Sequence, residues 1–135
     1  MLMPPISRYM TRQPWTVERS ATLTAAHQLM RAHVIRHLPV LDSGKLVGIV
    51  SERDLHLMET LQDVDPDEVK VEEAMTEHVY AAAPGDEVAD VVEHMAAQKV
   101  GSVVIMDHDR VEGIFTSIDA LQVLASVLRR TVDER

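Results

Sequence analysis

Gly48-Ile49-Val50-Ser51-Glu52-Arg53-Asp54 is matched 65 residues later by Gly113-Ile114-Phe115-Thr116-Ser117-Ile118-Asp119. Glycine, a short apolar run, a hydroxyl residue and then an acid three positions on occur twice, in one order. The same offset holds outward in both directions without a gap. Met10-Thr11 falls on Met75-Thr76, Met30 on Met95, Ala32 on Ala97 and Asp42 on Asp107. Lys45 falls on Arg110, and Val40-Leu41 on Ile105-Met106. Few positions are identical, but the apolar pattern persists, so the chain is an internal duplication. It divides into halves 1–65 and 66–135.

Each half carries the same run of elements. A first strand is expected near Trp15–Val17 and again near Tyr80–Ala82. Val88, Val91, Val92, Met95 and Ala96 then fall on one helical face, preceded by the turn Pro84-Gly85-Asp86 with Asp86 as candidate N-cap. The first half answers with Leu23, Ala26, Leu29 and Met30, capped by Ser20 or Thr22. Paired strands follow at 37–41 and 46–50, then at 102–106 and 111–115, joined by Ser43-Gly44 and His108-Asp109 as hairpin turns. A second helix closes each half, over about 52–62 and 117–130. Residues 63–69, with Pro66, form a polar linker. The order strand, helix, strand, strand, helix makes each half an α/β (α+β) unit. The last helix is apolar on more than one side (Ile118, Leu121, Val123, Leu124, Val127, Leu128), the pattern of a helix buried against a partner.

Composition narrows the function classes. The chain is 46% hydrophobic and 26% charged, as ordinary globular proteins are, with a core of aliphatics because aromatics are only 3%. It has no cysteine, which excludes disulfides, thiolate metal sites and thiol nucleophiles. The formal net charge of −9 lies in the second half, where 6 Lys/Arg face 15 Asp/Glu, against 7 and 7 in the first. That balance disfavours nucleic acid, whose backbone needs clustered cations. No signal peptide or bilayer-spanning stretch is apparent, so a cytoplasmic location and no membrane partner are expected. Motifs for a nucleophile elbow, a P-loop or a dinucleotide fold are absent, and no enzyme activity is expected.

The sites that could carry chemistry are Ser51-x-x-Asp54 and Thr116-x-x-Asp119, where a strand passes into a helix. A helix start offers unpaired N–H groups to an anion. A carboxylate can accept both cis hydroxyls of a ribose, and the hydroxyl side chain can donate to phosphate. The same pattern also forms a capping box, and the two roles are compatible. Seven histidines raise the question of a metal. The spaced pair His33 and His37 straddles a helix end and a strand start, so no metal site is expected.

Met10-Thr11, His37-Leu38-Pro39-Val40 and Gly48 through Asp54, with Met75-Thr76, Ser102-Val103-Val104-Ile105 and Gly113 through Asp119, resemble the CBS (cystathionine-β-synthase) domain family over roughly residues 6–125. The resemblance implies a stand-alone tandem pair, two β-α-β-β-α CBS repeats packed sheet to sheet around a pseudo-twofold axis, with two clefts between them. It places the family's ribose-binding acid on Asp54 and Asp119. A first cleft would hold Thr116 and Asp119 with Met10, Trp15, Thr16, Ile35, Arg36 and His37; Trp15 would meet adenine, and Arg36 and His37 phosphate. A second would hold Ser51, Arg53 and Asp54 with Tyr80, Ala81, Lys99, Val100, Gly101 and Ser102. The first has the more aromatic and cationic lining. Pro39 is replaced by Val104 in the second repeat, a departure from the family's strand start that puts that pocket in doubt.

The resemblance further implies a regulatory, non-catalytic module. Its ligand would contain adenine: AMP, ADP, ATP or S-adenosylmethionine, with no required cofactor. A homodimer and a separate protein effector are expected. The competing readings are a dimerisation or docking scaffold with degenerate sites, and a nucleotide hydrolase.

Overall fold

The computed structural model describes residues 3–133; positions 1, 2, 134 and 135, the outermost ends of the two sequence halves, lie outside the described residues. Among the described residues, two short 3-10 turns, seven strands and four helices follow the duplicated order. The strands are β1 (Thr11–Arg12), β2 (Val17–Glu18), β3 (His37–Asp42), β4 (Lys45–Ser51), β5 (Ala81–Ala82), β6 (Ser102–Asp107) and β7 (Arg110–Thr116). The helices are α1 (Leu23–His33), α2 (Glu52–Glu59), α3 (Val88–Gln98) and α4 (Ser117–Asp133). The chain is thus mixed α/β, with two sheets ordered β1-β7-β6-β5 and β2-β3-β4.

The compact units are displaced from the sequence halves 1–65 and 66–135. One is Pro14–Val79; the other joins the segment ending at Gln13 to the segment starting at Tyr80. Hydrogen bonding gives the reason. In the second of these units, β1 pairs antiparallel with β7, Thr11 opposite Ile114. In the Pro14–Val79 unit, Thr76 bridges Ile49 at the equivalent place. Just upstream, Val88 N–H, at the start of α3, donates to Pro4 O, and Ile6 N–H to Asp86 O. Their counterparts are Leu23 N–H to Val69 O, at the start of α1, and Val71 N–H to Ala21 O. Every compact unit therefore closes its sheet edge and satisfies an orphan N–H at a helix start with the leader of the other sequence repeat. Residues 63–69 are accordingly more than a linker, since Val69 helps to hold the start of α1.

Each unit has its own core. Leu23, Ala26, Met30, Leu38, Val40, Val50, Leu55 and Val71 fill one; Ile6, Val91, Met95, Val103, Ile105 and Phe115 dominate the other. The outer strand of each hairpin lies against its leader through a glycine. A Cβ on Gly48 would stand 2.6 Å from Met75 Sδ and 2.9 Å from Thr76 O; on Gly113 it would strike Met10 Sδ and crowd Thr11 O. The glycines that open the two matched heptapeptides are thus needed for close approach of a neighbouring chain segment.

Several sequence expectations change in detail. β2 begins at Val17, later than Trp15, whereas its counterpart β5 starts pairing one repeat position earlier, with Ala81 opposite Val104. Val104 N–H also donates to Tyr80 O. Pro39 occupies the equivalent place in β3 and has no N–H to give, so Trp15 and Thr16 remain outside the sheet. The α3 N-cap is Glu87, which makes no side-chain cap bond. Asp86 instead closes the preceding turn, its carboxylate accepting from Ala83 N–H at 2.9 Å. For α1 the cap is Thr22, accepting from Ala25 N–H. Helix α2 stops at Glu59, with Thr60 Oγ1 donating back to Leu57 O and Asp63 turning the chain at φ +67°. Helix α4 runs three residues past Arg130. Only Ala120 and Val123 of α4 pack on the core, while Ile118, Leu121, Leu124, Val127, Leu128 and Val132 are exposed.

Candidate nucleotide site

The two strand-to-helix passages are built alike. At the start of α2, Ser51 Oγ accepts from Asp54 N–H at 3.0 Å, and Asp54 Oδ2 accepts from Ser51 N–H at 2.9 Å. At the start of α4, Asp119 Oδ2 accepts from Thr116 N–H at 2.9 Å and from Thr116 Oγ1 at 3.2 Å; Thr116 Oγ1 accepts in turn from Asp119 N–H at 3.4 Å. Both are capping boxes in the reciprocal sense, so the structural reading of these residues holds. Each cap uses one carboxylate oxygen. Oδ1 of Asp54 and of Asp119 has no hydrogen-bond partner among the described residues, which leaves an acceptor fixed in direction by the cap.

In both units the start of the inner strand lies alongside. His37 is opposite Ser51, and Arg36 O accepts from Glu52 N–H. Ser102 is opposite Thr116, and Gly101 O accepts from Ser117 N–H. The Pro14–Val79 unit thus gathers Ser51, Asp54, Arg36 and His37; the other gathers Thr116, Asp119, Gly101 and Ser102. Each expected set draws residues from both units. The first takes Met10, Thr116 and Asp119 from one and Trp15, Thr16, Ile35, Arg36 and His37 from the other. The second takes Ser51, Arg53 and Asp54 from one and Tyr80, Ala81, Lys99, Val100, Gly101 and Ser102 from the other.

Electrostatics separate the two passages. The half-buried His37 imidazole is pushed below the usual histidine range by burial, with Asp54 pulling it up and Arg36 pressing it down. Arg36, Arg53 and Lys99 are exposed and make no ion pair among the described residues. Gly101 and Ser102, equivalent to Arg36 and His37, bring no charge. Asp54 also borders an open hollow of about 370 Å³ beside Leu57, Leu61 and Ala74.

Two aromatic residues repeat the symmetry. Trp15 stacks on His33, ring centroids 3.7 Å apart, and Tyr80 lies 3.8 Å from His94. One face of Trp15 is therefore covered by the last residue of α1, although half of the residue is exposed. Burial, together with Asp86 and Asp90, raises the Tyr80 phenol above its ordinary range. Met10, expected at the first cleft, is buried in the core against Gly113, so in this unit its thioether is a packing group. His33 ends α1 and His37 begins β3, as their spacing implied. A different group had no sequence signal: His27 on α1 meets His56 and Glu59 on α2, their ligating atoms all within 4.8 Å of one another.

Comparison with known proteins places this architecture. YhcV, a CBS domain-containing protein of Bacillus subtilis, is 30% identical over 105 residues, covering 78% of this chain and 74% of that one. Other curated relatives are longer, and this chain spans 37%, 47% and 21% of three of them. Among solved structures, a Vibrio cholerae protein assigned to acetoin utilization (AcuB) superposes with TM-score 0.85 at 32% identity, covering 98% of both chains. The CBS domain pair of protein MJ0100, solved in complex with 5′-methylthioadenosine and S-adenosyl-L-methionine, gives 0.81 at 27% identity, over 93% of this chain and 98% of that one. No helix of the described residues is long and apolar enough to cross a membrane. The family's own pattern, the CBS domain, matches residues 6–57 and again 71–126; with its two leader–glycine contacts and two strand-to-helix passages, this chain belongs to the CBS domain family, as a tandem pair.

Proposed function

We propose that this CBS pair is a non-catalytic regulatory module of the cytoplasm that binds an adenosine-containing ligand and passes its occupancy to a separate protein effector. The observation that carries this reading is the half-used carboxylate at each passage. Asp54 and Asp119 are held by their caps with one oxygen engaged and the other left for ribose hydroxyls. A charged acceptor on a vicinal diol makes stronger hydrogen bonds than a neutral one. Arg36, Arg53 and Lys99 are the cations available to phosphate, and His37, held below the usual histidine range by burial, offers a ring N–H instead. Ser51 and Thr116 are the neighbouring hydroxyls, although Thr116 already gives its proton to Asp119. AMP, ADP, ATP and S-adenosylmethionine share the ribose. The adenosyl ligands in the MJ0100 pair support the same class here.

Asparagine separates capping from binding. Asp54→Asn and Asp119→Asn keep a carbonyl oxygen for the cap but put an amide donor where ribose needs an acceptor. Calorimetric titration with AMP, ATP and S-adenosylmethionine should give binding in the wild type. The asparagine variant at the occupied site should bind about 10- to 100-fold more weakly, the worth of a hydrogen bond to a charged group. Unchanged affinity in both variants would remove the ribose role from these acids.

The scaffold reading has its own support in the exposed apolar side of α4. Six large aliphatic residues stand open there, from Ile118 to Val132, and such a surface marks an interaction site. A homodimer formed through α4 is the expected assembly. Light scattering should give twice the chain mass, and Leu121→Glu with Leu128→Glu should return it to the monomer. A wild-type monomer would leave α4 to the effector.

A further inference from the structure

We propose that His27, His56 and Glu59 form a binding site for one transition-metal ion of the zinc class, joining α1 to α2. His56 and Glu59 are three residues apart and share a face of α2. His27 projects from α1 toward that face. His27 Nδ1 and Glu59 Oε1 are 2.7 Å apart, with their side chains only 12% and 23% exposed, so the hydrogen bond fixes both groups in place. The His56 ring lies 4.9 Å from the His27 ring, tilted by 57°, and its side chain is 65% exposed. An ion can therefore enter from solvent past His56.

The ligating atoms lie within 4.8 Å of one another. Bonds of about 2.0–2.1 Å in a tetrahedron set ligand atoms roughly 3.3 Å apart. Rotation of the exposed His56 side chain brings its ring in, and the ion takes the place of the proton between His27 Nδ1 and Glu59 Oε1, spreading that pair by roughly half an ångström. Two imidazoles and one carboxylate suit zinc, cobalt, nickel or copper. Magnesium and calcium favour sites rich in oxygen ligands. Three protein ligands leave a fourth position for water. Glu52 Oε1, one turn before His56 and 4.0 Å from its Nε2, is placed to orient that ring, as partners of metal-bound histidines do. An ion here would brace α2, whose first turn carries Asp54.

The test is a titration of the EDTA-treated full chain with Co²⁺, followed by competition with Zn²⁺. Visible d–d absorption should saturate at one equivalent and be displaced by zinc. His56→Ala and Glu59→Gln should each weaken binding by at least about tenfold, the loss that follows even from removing an outer partner of a metal ligand. His56 is exposed enough that its removal leaves the fold in place, and a circular-dichroism melt verifies this. His108→Ala, at a histidine 94% exposed beside Asp107, should bind like the wild type. Absence of any cobalt band, or affinity within about threefold of wild type in either ligand variant, overturns the proposal.

Discussion

His37 shows how one side chain couples packing to charge at the candidate site. It begins β3 opposite Ser51, close enough to feel both Asp54 and Arg36. Burial is the largest influence and holds its titration below the free value of 6.5. The unfolded chain therefore takes up a proton at a pH where the folded chain still resists it. Stability from this residue is intact above pH 6.5, falls as pH drops from there toward the folded value, and levels off below it. The melting temperature of the wild type should fall relative to that of His37→Gln as the pH is lowered from 8 to 5, because glutamine removes the proton-linked loss. Parallel curves would show that the ring is solvated. A phosphate near Arg36 would oppose the effect, since an anion favours imidazolium.

At the scale of elements, the decisive contacts are those of the two leaders with the hairpins. Gly48 is pressed by both a side chain and a backbone carbonyl, and the flexible Met75 can yield where Thr76 O cannot. Gly48→Ala should push the leader off and weaken the Ile49–Thr76 pair, whose two bonds are 3.0 and 2.8 Å. The expected loss is about 1–3 kcal/mol, the range for overpacking, measured by urea denaturation. Gly85→Ala, with nothing within 4 Å of the added Cβ, is the control and should leave the midpoint unchanged. Strands, helices and hairpin turns were legible in the sequence because their apolar periods are local. The late start of β2 was legible only in part: Pro39 was visible, but its missing donor matters only once Trp15 is known to lie alongside. The Ser/Thr-x-x-Asp passages were found because cap and site share one short segment. The meeting of His27 with His56 and Glu59 was not, since nothing in their spacing tells which faces of two helices meet.

For the whole molecule, the exchange of leaders sets which pieces can fold. A fragment of residues 1–65, the first sequence repeat, lacks Val71, which is fully buried in its core, and the Thr76 bridge. Losing burial of one such aliphatic side chain costs about 1.5–3 kcal/mol, on top of an open sheet edge. A fragment of residues 14–79 keeps all of these. It should melt cooperatively by circular dichroism, while 1–65 should not. Equal behaviour of the two fragments would mean that the leaders contribute little. The acidic second half concentrates the net charge of −9, which favours solubility while the open face of α4 favours association. The leaders also impose a schedule during synthesis. Thr11 pairs with Ile114, so a segment made early waits for one made much later. At about 5–20 residues per second, Pro14–Val79 has all its parts well before β7 emerges. The leader meanwhile travels unpaired for roughly 5–20 s, with Ile6 and Met10 still outside the core that will bury them.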